Sequence, residues 1–200
     1  MAAPTGINHN LAAVMRGVKA EFWINPTINA DGTITLQPDG SLLNSGSNPP
    51  HPGARNIGYT QDGATLTRGK TRESLPVDQE QTPIGNALTD TEVHLKTTIL
   101  QVRDYDNLAA LESGILAVTG TGFKGIRDGG TDINLFPIAV ISPLPENSSY
   151  FQVILVYAAE NVGDLSLVLA KAYNTTPIDL MARPAGRTNG ATFFVYDTAP

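Results

Sequence analysis

The chain has 200 residues, 41% of them hydrophobic, and carries 13 basic against 19 acidic side chains for a net charge of −6. That length and apolar content suffice for one well-buried domain, and the negative balance argues against a surface built to grip nucleic-acid phosphates. Cysteine is absent, which removes disulfides, thiolate metal sites and cysteine nucleophiles and fits a reducing cytoplasm.

Residues 1–20 lack the continuous apolar run of a signal peptide, because Asn8, His9, Asn10, Arg16 and Lys19 interrupt it. No segment reaches the ~20 apolar residues of a membrane helix. The expectation is a soluble, unprocessed single domain spanning 1–200. LAAVMRGVKAEF can begin a short helix, and EFWINPTI reads as a strand stopped by Pro26. Asn29-Ala30-Asp31-Gly32 is a hairpin turn signal before the alternating TITLQ. Residues 38–56 are dense in Pro, Gly, Asn and Ser, which predicts an exposed loop or arm that orders against a neighbour.

Gln61-Asp62-Gly63 marks a turn into the strand-like ATLTRGKTRE, and a link bearing Pro76 and Pro83 follows. TEVHLKTTILQV alternates Val93, Leu95, Thr97 and Ile99 with Glu92, His94, Lys96 and Thr98, the period of a half-buried strand. At Asp104 the period changes. DYDNLAALESG offers Asp104 or Asp106 as a helix cap, Leu108 and Leu111 on one face, and Gly114 as a stop. After a link holding Gly120, Gly122, Gly125, Gly129 and Gly130, the runs NLFPIAVIS, YFQVILVYAAE, DLSLVLAKAY and ATFFVYD read as strands. YFQVILVYAA is apolar on both faces, as a covered central strand requires. The fold class expected is mainly β, an antiparallel sandwich or barrel-like domain with one short flanking helix.

Several chemistries are weak on these residues. Gly63-ATLTR-Gly69-Lys70-Thr71 has five residues between its glycines where a phosphate loop needs four, and Pro76 follows instead of a helix. The histidines, His9, His51 and His94, have no zinc-site spacing. Asp128, Asp132 and Asn134 fit a turn better than a calcium loop. Asn147-Ser148-Ser149 and Asn174-Thr175-Thr176 match the glycosylation pattern, but they read as ordinary loop in a chain without a secretory signal. Arg68, Lys70 and Arg72 alternate, so they share one strand face. Either they contact DNA or acidic groups such as Asp78 and Glu80 of a neighbouring subunit, or they guard an edge against stray pairing.

The order NIGYTQDGATLTRGKTRESLPVDQEQTPIG, TEVHLKTTILQV, DYDNLAALESG, GFKGIRDGG, YFQVILVYAAE and DLSLVLAKAYNTTPIDLMARP resembles that of the major tail (tail tube) proteins of long-tailed bacteriophages, over Asn56 to Asp197. The resemblance implies a β-sandwich flanked by one helix, with hexameric rings stacked into a tube and strands lent to an inter-subunit β-barrel around the DNA channel. It implies a virion tail protein assembled in the bacterial cytoplasm, without catalytic, metal or cofactor sites. Its partners would be further copies of itself and the tape-measure, terminator and distal tail proteins, with double-stranded DNA as passing cargo and no membrane. On this reading Asn44, Ser47, Pro50, His51 and Arg55 make inter-ring contacts. Ala64–Glu73 and Glu92–Val102 are inner-barrel strands. Arg68, Lys70 and Arg72 lie between subunits, and Asp78, Glu80, Glu92 and Lys96 are lumen or inter-subunit charges. The rival readings are a tail terminator, a head–tail connector or capsid decoration protein, and a ligand-binding β-sandwich.

Overall fold

The computed structural model describes residues 20–36, 40, 42, 53–77, 80–100, 105–129, 133–144, 150–164, 175–186 and 190–198, with backbone alone between 72 and 90. Its elements are β1 (Glu21–Ile24), β2 (Arg55–Val77), β3 (Glu80–Leu100), α1 (Tyr105–Leu111), β4 (Ile115–Gly120), β5 (Phe123–Asp128), β6 (Phe136–Pro143), β7 (Phe151–Asn161), β8 (Thr175–Ala182) and β9 (Phe193–Asp197). The protein is mainly β, with an antiparallel seven-stranded sheet ordered β6-β1-β2-β3-β8-β7-β9. A further pairing of β6 with β7 closes six of these strands into a ring. β4 and β5 form a separate hairpin, and among the described residues no helix is long and apolar enough to cross a membrane.

The alternation of side chains builds two cores on the two faces of the same strands. Phe22 and Ile24 of β1, Ile138 and Val140 of β6, and Val156 and Ala159 of β7 join Leu95, Ile99, Ile178, Leu180 and the helix residue Leu111 in one cluster. Trp23, Ala139, Ile141, Val153, Leu155 and Tyr157 point the other way, into a second cluster with Ile34, Leu42 and Phe151. β6 and β7 are therefore covered on both sides, which is why their sequences are nearly continuous in apolar residues. Each such fully buried side chain stabilises the fold by about 1.5–3 kcal/mol relative to an exposed one.

Several expectations change. TITLQ does not enter the sheet. Residues 33–36 instead follow the expected turn, where Gly32 takes a φ of 89°, and cap the second core: Tyr157 Oη donates to the Gly32 carbonyl and Ile34 N–H donates to Tyr196 Oη. Of the expected loop at 38–56 only residues 40, 42 and 53–56 are described, and the rest lies outside the described residues. Leu42 is buried, Gly40 lies so close beneath Phe151 that a Cβ there would overlap the ring, and Arg55 and Asn56 already belong to β2. The Pro76–Pro83 link is strand backbone on both sides of Asp78-Gln79. FKGIRD is strand β5 instead of a glycine link. DLSLVLAKAY falls almost wholly outside the described residues, whereas TTPIDLMA, not expected as a strand, is β8. The helix ends as expected, with Gly114 at a φ of 74° just beyond it.

Glu112, which follows α1, is buried and accepts a 2.5 Å hydrogen bond from Asn161 Nδ2 at the end of β7. Asn134 Nδ2 donates to the Glu112 carbonyl, so this junction ties the helix to the barrel. Burial raises the Glu112 carboxyl above its ordinary range, and the Asn161 hydrogen bond only partly offsets this. A raised folded pKa means the folded state favours the protonated acid, so stability is lost as pH climbs from the ordinary glutamate range through the folded pKa. Denaturant melts across pH should show wild type losing stability relative to Glu112→Gln over that rise, with no relative loss below about pH 4. In the core, Leu155→Ala should cost about 2–5 kcal/mol, while Leu116→Ala on an exposed face should stay within about 0.5 kcal/mol by the same measurement.

Candidate assembly surface at the β2–β3 ribbon

β2 and β3 are far longer than the ring that holds them, at 23 and 21 residues. β1 pairs with β2 only from Arg55 to Tyr59, and β8 pairs with β3 only from His94 to Leu100. From Arg68↔Val93 to Val77↔Glu80 the two strands pair with each other alone. They leave the barrel as a two-stranded ribbon of ten residues on the β2 side, about 30 Å long at ~3.3 Å per residue. Among the described residues, both outer edges of this ribbon lack a strand partner.

The sequence dictates where the ribbon departs. Directly opposed residues share a face, so Ala64 with Thr97 and Leu66 with Leu95 are the last rows in which both residues are buried or half-buried, and in the next row only Val93 is. The next residues of that stripe on β2 are Arg68 and Lys70, both exposed, and a charge there has nowhere dry to go. A bulge interrupts β2 just past the end of its pairing with β1, before the Ala64 and Leu66 rows. Pairing skips from Thr60 to Ala64, Gly63 takes a φ of 82°, and Thr97 Oγ1 donates to its carbonyl at 2.8 Å.

On the opposite face of β3 a charged cluster marks the ribbon root. Asp179 of β8 accepts Lys96 Nζ on one oxygen and His94 Nδ1 on the other, each at 2.8 Å, and Glu92 lies 3.8 Å from His94 Nε2. Burial pulls the Asp179 carboxyl upward, but hydrogen bonds from Lys96 and His94 and their charges outweigh it and hold the group below its ordinary range. The cluster joins β3 to β8 just before β3 leaves its neighbour.

The expected alternation of β3 holds: Val93, Leu95, Thr97 and Ile99 are buried, while Glu92 and Lys96 are exposed. Glu92 and Lys96 come together through His94 and Asp179. Arg68 and Lys70 share the other face of the ribbon. Arg72 and Glu80 are strand residues whose side chains lie outside the described part. Asn44, Ser47, Pro50, His51, Asp78, Asp132, Asn147 and Asn174 also lie outside it. Arg55 is exposed at the start of β2, opposite Ile24. Gly63 to Thr71 is extended strand with one bulge, so its N–H groups do not converge as a phosphate loop requires. Asn134 spends its amide on Glu112 and its N–H on Ser113 Oγ. Among the described residues no group of His, Asp and Glu side chains is arranged to hold a metal.

Asp179 was missed by sequence reasoning because Pro177 argues against a central strand. Its signal is the alternation of Thr176, Ile178 and Leu180, all buried, around it. Glu160, which binds Arg183 Nε and Nη2 at 2.9 and 2.6 Å, is a second cross-strand pair without a sequence signal.

No protein-family model matches the chain, and no curated protein sequence matches it.

Because the folded pKa of Asp179 is depressed, the stability it confers is present above the unfolded value of about 3.9 and is lost as pH falls through the folded value. Asp179→Asn should cost about 1 kcal/mol near neutral pH, measured by denaturant melts. The gap to wild type should close as the pH is lowered below about 4.

Proposed function

We propose that this chain is a structural subunit that assembles with copies of itself into stacked, hexameric rings, forming a phage tail tube through which DNA passes. The single observation that carries this reading is the two-stranded ribbon leaving a closed ring of strands. A two-stranded ribbon has too little core to be stable alone, and unpaired edges are normally short, capped or covered. Docking on neighbouring subunits supplies both the missing core and the missing strands. The sequence resemblance to tail tube proteins points to the same assembly.

The charge fits the role. A wall built from subunits of net charge −6 repels phosphates, so a duplex passes without sticking. Arg68 and Lys70, both exposed on one face of the ribbon, serve contacts between subunits, where an acidic neighbour neutralises them. The Glu92–His94–Lys96–Asp179 cluster fixes the root from the other face, so that the ribbon leaves each subunit at one angle. Function on this reading lies in interfaces.

Negative-stain microscopy of purified protein over rising concentration should show rings and tubes with a central pore. Arg68→Glu with Lys70→Glu should melt as wild type does, since both residues are exposed, yet reduce assembly at least tenfold. Wild type that stays monomeric at every concentration would overturn the reading, and single rings that never stack would favour a tail terminator.

A further inference from the structure

Large apolar side chains left exposed fall mainly into two groups at opposite ends of β7. Leu116, Ile133, Leu135 and Val162, between 43% and 63% exposed, surround the junction of α1 with the C-terminal end of β7. On β9, Val195 is 41% exposed and pairs with Ile154 near the other end of β7, while Phe194, paired with Leu155 and 37% exposed, points to the opposite face. Six residues separate Leu155 from Asn161, about 20 Å of strand, so neither group covers the other within one molecule.

Each group carries a charge on its own face, and the signs are opposite. Arg127 stands directly opposite Leu116 in the β4–β5 hairpin, so the two share a face. Asp197 is two residues beyond Val195 on β9 and shares its face. The hairpin surface is flattened by glycine: Leu116 lies over Gly129 and Phe123 over Gly120, each so close that a Cβ would overlap it. Beyond this face the hairpin rests on α1, a helix of seven residues. An apolar hairpin so lightly supported is marginal until its free face is covered.

We infer that the occupant is a second copy of this chain. The Leu116–Arg127 face of one subunit packs on the Val195–Asp197 face of the next, head to tail. Two different patches in contact make a heterologous interface, which repeats from copy to copy and builds rings or stacks instead of closing as a dimer. The inference rests on the self-assembly proposed above and adds the surfaces that perform it, separate from the ribbon.

The native chain has no cysteine, so single cysteines report contacts without background. Leu116→Cys and Val195→Cys proteins, mixed under assembly conditions and treated with a short bis-maleimide, should give a cross-linked product of twice the chain mass that neither gives alone. Arg127→Asp and Asp197→Arg should each reduce assembly about tenfold in sedimentation, and both an equal mixture of the two single variants, which can alternate with every pair complementary, and the double variant should recover it. Cross-linking of either cysteine protein to itself, or single charge variants that assemble as wild type does, would overturn this inference and leave the tube reading standing. A wild-type protein that never assembles would overturn both.

Discussion

The pairing of β6 with β7 is the constraint on which the rest of this molecule depends. Without it the sheet is an open ribbon of strands with two free ends. With it, Ile138↔Val156 and its neighbouring rows close the ring, and β6, β1 and β7 come to lie between two apolar clusters. Closure satisfies the strand edges of the ring internally. Among the described residues, 68–77 of β2 and 80–93 of β3 then form the longest stretch that has no third strand beside it.

The ribbon follows from the same alternation that builds the core. The Gly63 bulge interrupts β2 just after its pairing with β1 ends, Ala64 and Leu66 then keep it against the core, and the ribbon begins at the exposed Arg68 and Lys70. Asp179 ties the other face of β3 down at that boundary. Individually these ion pairs are worth little at a surface. Their role is geometric: two neighbouring strands are locked at the point from which an otherwise unsupported arm projects. A rigid root lets a long arm meet a distant partner at a defined place, at less entropic cost than a flexible loop would incur.

Much of this was legible in the residues, and the failures have physical causes. The burial of β3 on alternate residues, the two-sided burial of β7, the helix at Tyr105–Leu111 and the left-handed Gly32 and Gly114 all follow from local periodicity and turn chemistry. TITLQ has strand periodicity yet caps a core, because Tyr157 and Tyr196 supply the hydrogen bonds that a sheet neighbour would have given. Pro76 and Pro83 looked like breaks, and both fall where the β2–β3 register slips between Leu75↔Gly85 and Val77↔Glu80, an irregularity at which proline is tolerated. FKGIRD looked like a link because Gly125 carries no pattern, although it sits opposite Val118 in a hairpin. Asp179 and Glu112 gain their partners from residues 83 and 49 positions away, and no local pattern encodes such pairs.

The central claim is that the ribbon edges become paired between copies of the chain. Hydrogen–deuterium exchange compares those amides directly in dilute and in concentrated, assembled protein. Outward-facing N–H groups of 68–77 and 80–93 should exchange fast in the dilute state, and assembly should slow them at least a hundredfold. Over the same change β6 and β7 should stay equally protected. Exchange in the ribbon that is as fast in assembled as in dilute protein would contradict it.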